Sequence, residues 1–244
     1  MVFEQKVAVT ADLVDCFGRC KASTLLYFAQ EAAGDHCRLL RLDCDALAEK
    51  NLFWAVIRTH VKVNQLPMLG QNLTVKTWPL PTTRTAFPRA VVLCDEAGKE
   101  LVHILSLWVL MDKTSRAMVL PGKSGVEVNG LLTGNELAAP GSILPRVGEN
   151  TQLRTVRFSE LDRNGHMNNT RYLDWTADLL TASFHKDHPV KEFTVCYLSE
   201  AVENQQIELT YGMENAGVFQ VDGADTRTDE AGKKTRVFSV KAQF

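Results

Sequence analysis

The sequence predicts an α+β chain made of one unit repeated in tandem, each copy a long helix with an antiparallel sheet. Three observations predict it. First, a shift of 147 residues lays "VTADLVDCFGRCKASTLLYFAQ" (9–30) over "VRFSELDRNGHMNNTRYLDWTA" (156–177). Val9 then meets Val156, Asp15 meets Asp162, Gly18 meets Gly165, Leu26 meets Leu173 and Phe28 meets Trp175. Second, each of these stretches reads as a strand, a polar bend containing Gly, and a segment with helical apolar spacing. Third, several extended segments follow each helix, and a helix with one apolar stripe must bury it against such a sheet.

In the first copy, residues 25, 26, 29, 32, 33, 37 and 40 are Leu, Leu, Ala, Ala, Ala, Cys and Leu, one face of a helix. The strands that follow read as "FWAVIRTHVKV", "NLTVKTWPL", "RTAFPRAVVLCDEAGKELVHILSLWVLMD" and "RAMVL". "LPGKSGVEVNGLLTGNELAAPGSILP" is rich in Gly, Pro, Asn and Ser and reads as a surface linker. The predicted division is residues 1–125 for the first unit, 126–147 for the linker and 148–244 for the second unit. In the second copy, Tyr172, Leu173, Thr176, Leu179, Leu180, Ser183 and Phe184 trace the helix face. "EFTVCYLSEAV", "QIELTYGME", "GVFQVDGADTRTD" and "KKTRVFSVKAQF" supply its strands. "DEAGKE" and "DEAGKK" take corresponding places as hairpin turns.

With 45% hydrophobic and 23% charged residues among 244, the chain can bury an ordinary globular core. A net charge of -2 gives no reason to expect nucleic acid or an anionic membrane as a partner. No apolar run of about 18 residues is present, so no membrane span is expected. "MVFEQKVAVTADL" lacks a basic segment followed by an apolar one, so no secretory signal is expected. Six scattered cysteines fit reduced thiols in a cytoplasmic protein. Cys16 and Cys20 lie four apart with no second pair at metal-site spacing, so no metal and no cofactor is expected.

The least ordinary stretch is "ELDRNGHMNNTRYLDW" (160–175). Asp162, Asn164 and His166 alternate, and in an extended segment alternate side chains point one way. They are expected to converge on one pocket. Asn168 or Asn169 suits the N-cap of the helix that follows, whose free N–H groups would then face the same centre. Gly165 allows a close backbone approach, and a neighbouring N–H could serve an oxyanion. A carboxylate, an amide, an imidazole and N–H donors are what hydrolysis of an activated acyl group requires. Under the repeat, Asn164 falls on Phe17 and His166 on Arg19, and only Asp15 keeps its partner's type. Chemistry is therefore expected in the second copy alone. The first is free to supply a hydrophobic cleft.

The repeat and the run Asp162, Asn164, His166, Asn168, Asn169, Tyr172 and Trp175, with Tyr197 and Glu200 further on, resemble the acyl-acyl carrier protein thioesterases. The resemblance covers essentially the whole chain. It implies two tandem hotdog units, each a sheet around a long helix, and hydrolysis of fatty acyl thioesters on acyl carrier protein in fatty acid biosynthesis. It implies Asp162, Asn164, His166 and Glu200 as catalytic residues, with Glu200 activating or orienting water. It also implies that the first unit holds the acyl chain, with Trp54, Ala29 and Ala33 as pocket candidates beside Gly165 and Asn168 at the reacting end. Plant members commonly carry Cys after the glutamate. This chain has Ala201, so a Cys nucleophile there is impossible. Asp162 attacks directly or orients water; the residues leave both open. The alternatives are an acyl-coenzyme A thioesterase, a dehydratase of the same fold, and a non-catalytic lipid-sensing module. Both a monomer and a homodimer suit fused units.

Overall fold

The structure, a computed structural model, describes residues 1–132, 137–145, 150–214 and 217–244. The chain forms two compact units, Met1–Pro140 and Gly141–Phe244. The division falls inside the segment 126–147. The predicted edge at 147/148 lies outside the described residues.

The first unit has strands β1 (Phe3–Ala8), β2 (Leu52–Val63), β3 (Asn72–Pro79), β4 (Phe87–Cys94), β5 (Glu100–Asp112) and β6 (Met118–Val119). Its helices are α1 (Ala22–Leu39), α2 (Cys44–Ala48) and α3 (Pro121–Ser124). The strands are antiparallel in the order β1-β3-β4-β5-β2, with β6 on β5. The sequence explains α1. Leu25, Leu26, Ala29, Ala32 and Ala33 are all buried and recur at helical spacing, and Ala has the best helix propensity. α1 packs that face on β1 and β3. Its last turn carries His36 and Arg38, and Arg41, just past its end, adopts φ 54. β4 is buried along its whole length, as a central strand covered on both faces requires.

The second unit has β7 (Asn150–Thr155), β8 (Glu192–Tyr197), β9 (Gln206–Glu214), β10 (Val218–Thr228) and β11 (Lys234–Gln243), with α4 (Arg171–Ala177) and α5 (Ala182–Asp187). Its order is β7-β9-β10-β11-β8. Paired by the repeat, β7 stands for β1, β9 for β3, β10 for β4, β11 for β5 and β8 for β2, so the two units share one topology.

One element differs from expectation. The long helix predicted for the second unit is two short ones. Its face is buried at Tyr172, Leu173, Trp175 and Thr176, while Leu179, Leu180 and Phe184 are only half-buried and Ser183 is exposed. The cause is local. The hydroxyl of Thr181 accepts the N–H of Phe184 at 3.2 Å and starts a second helix, which a β-branched hydroxyl residue does better as a cap than inside a helix.

Candidate active site

The stretch 161–167 is not extended. It is a tight bend in which Leu161 pairs with Met167 and the N–H of Asp162 donates to the carbonyl of His166 at 2.7 Å. Asp162 Oδ1 accepts the N–H of Asn164 at 2.8 Å and of His166 at 3.2 Å. Gly165 closes the bend at φ 77, a left-handed conformation costly to any residue with a Cβ. Asp162, Asn164 and His166 come together because the chain turns back on itself.

The same bend occurs four times among the described residues. Asp15 Oδ1 accepts from Phe17 and Arg19, Asp95 from Ala97 and Lys99, and Asp229 from Ala231 and Lys233, all at 2.8–3.0 Å. Gly18, Gly98 and Gly232 stand at φ 74, 82 and 75. The rule is Asp-x-x-Gly-x, with the carboxylate satisfying two N–H groups that the turn would leave without partners. Asp162 and Gly165 therefore have a structural role that three non-catalytic turns share.

What sets the 162–166 bend apart is the pair of side chains mounted on it. In the first unit Arg19 lies at the His166 position, and its Nε donates to the second oxygen of Asp15 at 3.1 Å. In the second unit His166 reaches away, and its Nε2 lies 3.4 Å from Glu200 Oε2. Among the described residues, the second oxygen of Asp162 meets only the amide of Asn164 at 3.5 Å, so no guanidinium occupies it. Glu200 is delivered by the backbone. His166 pairs with Val202 as a β-bridge, and the N–H of Met167 donates to the carbonyl of Ala201 at 2.8 Å. Both side chains stay open to a substrate, 26% exposed for His166 and 46% for Glu200.

Two expectations are corrected. The N–H groups of Asn164, Gly165 and His166 all donate to Asp162, so none beside Gly165 serves an oxyanion. The α4 N-terminus is also partly occupied. Asn168 lies two residues before the Thr170 N-cap, where its side-chain oxygen accepts the N–H and the hydroxyl of Thr170. Arg171 N–H donates to the Asn168 carbonyl and Leu173 N–H to that of Thr170. Asn168 thus builds the bend–helix junction, and no side chain at 168 or 169 caps the helix directly. Asn164 is exposed, with its amide available to hold a carbonyl oxygen.

Residue by residue, sequence reasoning passed over Tyr172 and Glu160 as groups of the site. Tyr172 is buried, packs on Phe238 with ring centres 4.6 Å apart, and has its hydroxyl pKa pushed up by burial and then by the charges of Asp162 and Glu200. It lies within the field of both carboxylates. Glu160 accepts the Trp175 indole N–H at 2.6 Å through one oxygen and the Arg157 backbone N–H at 2.8 Å through the other, fastening the bend to α4. Glu160 and Trp175 stand fifteen apart across the bend, a separation that no helix or strand period links, so sequence carries no signal of their contact.

In the first unit, Ala29 and Ala33 line a cavity between α1 and the sheet, with Leu26, Arg89 and Trp108 among its other walls. Its volume is about 10 Å³, room for one water. Trp54 lies elsewhere. Its N–H donates to the carbonyl of Leu42 at 2.8 Å and its ring meets Phe87 edge-on, half-buried against the core of Leu47, Leu52 and Leu110.

Residues 1–120 match the acyl-ACP thioesterase N-terminal domain, and residues 146–238 match the acyl-ACP thioesterase C-terminal domain. A palmitoyl-acyl carrier protein thioesterase of Gossypium hirsutum is 26% identical over 82% of this chain and 52% of its own. A dodecanoyl-[acyl-carrier-protein] hydrolase of Cinnamomum camphora is 24% identical over 85% of this chain and 58% of its own. Both are chloroplastic, and the chain spans about half the length of these plant relatives. Among solved structures, an acyl-ACP thioesterase from Bacteroides thetaiotaomicron superposes with a TM-score of 0.90 at 21% identity, covering 100% of this chain and 97% of the other. The 12:0-ACP thioesterase from Umbellularia californica superposes at 0.82 and 20%, covering 99% and 96%. The two units have the hotdog fold, and the chain belongs to the acyl-ACP thioesterase family.

Proposed function

We propose that the chain hydrolyses the thioester of fatty acyl groups carried by acyl carrier protein, releasing free fatty acid in fatty acid biosynthesis. The single observation that carries this reading is the His166–Glu200 pair, formed where the second-unit bend meets the segment after β8, while the matching first-unit bend carries Arg19 on Asp15. An imidazole beside a carboxylate, both reachable from solvent, is the arrangement general acid–base catalysis uses. Water attacks the thioester carbonyl and its proton passes to the pair. The carbon–sulfur bond then breaks, and the departing sulfur takes a proton back from the pair. Asn164 holds the carbonyl oxygen, and Asp162 orients the bend and the water. Asp162 Oδ1 is committed to two N–H groups, which leaves its second oxygen to orient the water.

The acyl chain is assigned to the first unit, where Ala29 and Ala33 border the cavity under α1. Six scattered cysteines suit a reducing compartment, the cytoplasm. No helix among the described residues is long and apolar enough to cross a membrane.

The test is thiol release from matched acyl carrier protein and acyl-coenzyme A substrates over a ladder of chain lengths. Faster release from the carrier protein is expected. Faster release from coenzyme A would reassign the carrier, and acyl binding without release would make the chain a lipid sensor.

A further inference from the structure

Arg89 is a buried cation without a counter-charge among the described residues. It stands on β4, 8% exposed. Its guanidinium donates to His36 Nδ1 at 3.1 Å and to the Thr77 hydroxyl at 3.2 Å, and meets Cys37 Sγ at 3.6 Å. None of these is an anion. Accepting at Nδ1 requires a neutral His36, and burial followed by the Arg89 charge holds its pKa down to about 4. Burial pushes the Cys37 thiol up, so it stays protonated. Among the described residues no carboxylate pairs with Arg89. A charge taken out of water and left without a partner is strongly destabilising, and proteins rarely keep one without a use.

The surroundings share the same bias. Arg89 lines the cavity under α1, where Leu26, Ala29 and Val91 supply apolar wall. Trp108 lines it too, and its indole N–H is buried without an acceptor among the described residues. So is Nε2 of His36, which must carry the hydrogen when Nδ1 accepts. The hydroxyls of Thr59 and Ser106, 3.1 Å apart, and the Gln30 amide complete the polar lining, and none of them is an anion. The cavity of about 10 Å³ admits one oxygen-sized group as it stands. Gln30 and Trp108 are the two lining side chains that are not buried, so entry of anything longer falls to their rotation.

An apolar wall ending in a cation and spare N–H groups is complementary to an aliphatic chain that ends in an acid. We propose that the cavity of the first unit is a carboxylate subsite, in which Arg89 receives the carboxylate of an aliphatic chain. Two sources share that chemistry: the far carboxyl of a dicarboxylic acyl group on the substrate, and a released fatty acid. The first rests on the thioesterase reading, and the second does not.

The experiment has a binding arm and a turnover arm, both on the full chain. Titration calorimetry compares octanoate with octanol. Wild type is expected to bind octanoate about tenfold tighter or more, as a charged hydrogen-bond partner does. Arg89→Met should lose that preference and Arg89→Lys should keep part of it. Equal affinity for acid and alcohol in wild type overturns the proposal, whatever the variants do. In the turnover arm, a higher kcat/KM for ω-carboxyoctanoyl than for octanoyl thioester assigns the subsite to the substrate. Competitive inhibition by octanoate that Arg89→Met abolishes, without that preference, assigns it to the released acid, whereas an acid preference that survives Arg89→Met overturns the proposal. Selective octanoate binding with no thiol release from either thioester removes the thioesterase reading and leaves the carboxylate subsite standing.

Discussion

At the scale of single residues, the proposed mechanism gives Asp162 two tasks, holding its bend and orienting the water, and gives the acid–base chemistry to His166 and Glu200. Asp162 satisfies two N–H groups of its own bend, as Asp15, Asp95 and Asp229 do in theirs. His166 and Glu200 have no counterpart in those turns. His166→Ala and Glu200→Gln should each lower kcat by about 10²–10⁴. If the two act as one unit, the double variant loses no more than the worse single one, which steady-state thiol release on all three measures directly. His36 yields a prediction about stability. Its folded pKa of about 4 lies below the ordinary 6.5, so between those values the unfolded chain binds a proton that the folded chain refuses. Stability should be level above pH 6.5 and fall on acidification toward pH 4, by as much as about 3 kcal/mol. Urea midpoints across that range test it, and His36→Gln should flatten the slope. Sequence pattern made Asp162, Asn164 and His166 visible as a group. It could not make Arg89 visible, because a single Arg in "FPRAVVLC" looks like any edge of a strand until its burial is known.

Among the elements, the bend carries the sharpest comparison. Gly98 and Gly165 hold the same left-handed φ, and a Cβ added at either would meet nothing within 4 Å, so substitution strains the backbone without a clash. Gly98→Ala and Gly165→Ala should each cost about 1–2 kcal/mol of stability. Only Gly165→Ala should also depress kcat, because only that bend carries His166. Equal kcat in both variants would mean that the bend geometry does not position the chemistry. All four bends were legible as Gly-containing turns, since Asp and Gly at this spacing punctuate a chain whatever its fold. The reading of 162–166 as extended failed for the same reason: alternation of polar residues suits a strand, but Gly165 and the Asp162 carboxylate favour a turn. The break in the second helix was hidden because Leu179, Leu180 and Phe184 keep helical spacing across it. Only the cap made by Thr181 decides between one helix and two.

For the whole molecule, the repeat read from residues 9–30 and 156–177 extends to the order of five strands in each unit, β1-β3-β4-β5-β2 and β7-β9-β10-β11-β8, with β6 an addition to the first. That much was legible because period-2 and period-3.6 patterns recur in the same order in both halves. The pocket was not. Trp54 and Ala29 look alike as pocket candidates in sequence, and packing separates them: Trp54 lies half-buried against a core, while Ala29 borders the cavity beside Arg89. The repeat also supplies its own control. Asp15 and Asp162 hold equivalent bends, yet the first is paired with Arg19 and the second stands near the His166–Glu200 pair. The most direct measurement is therefore thiol release from acyl carrier protein substrate by Asp15→Asn beside Asp162→Asn. The account predicts that Asp162→Asn falls by about 10² or more in kcat while Asp15→Asn stays within a few-fold of wild type. Equal losses in both variants would make the carboxylate a scaffold alone, and unchanged turnover in Asp162→Asn would remove the chemistry from this bend.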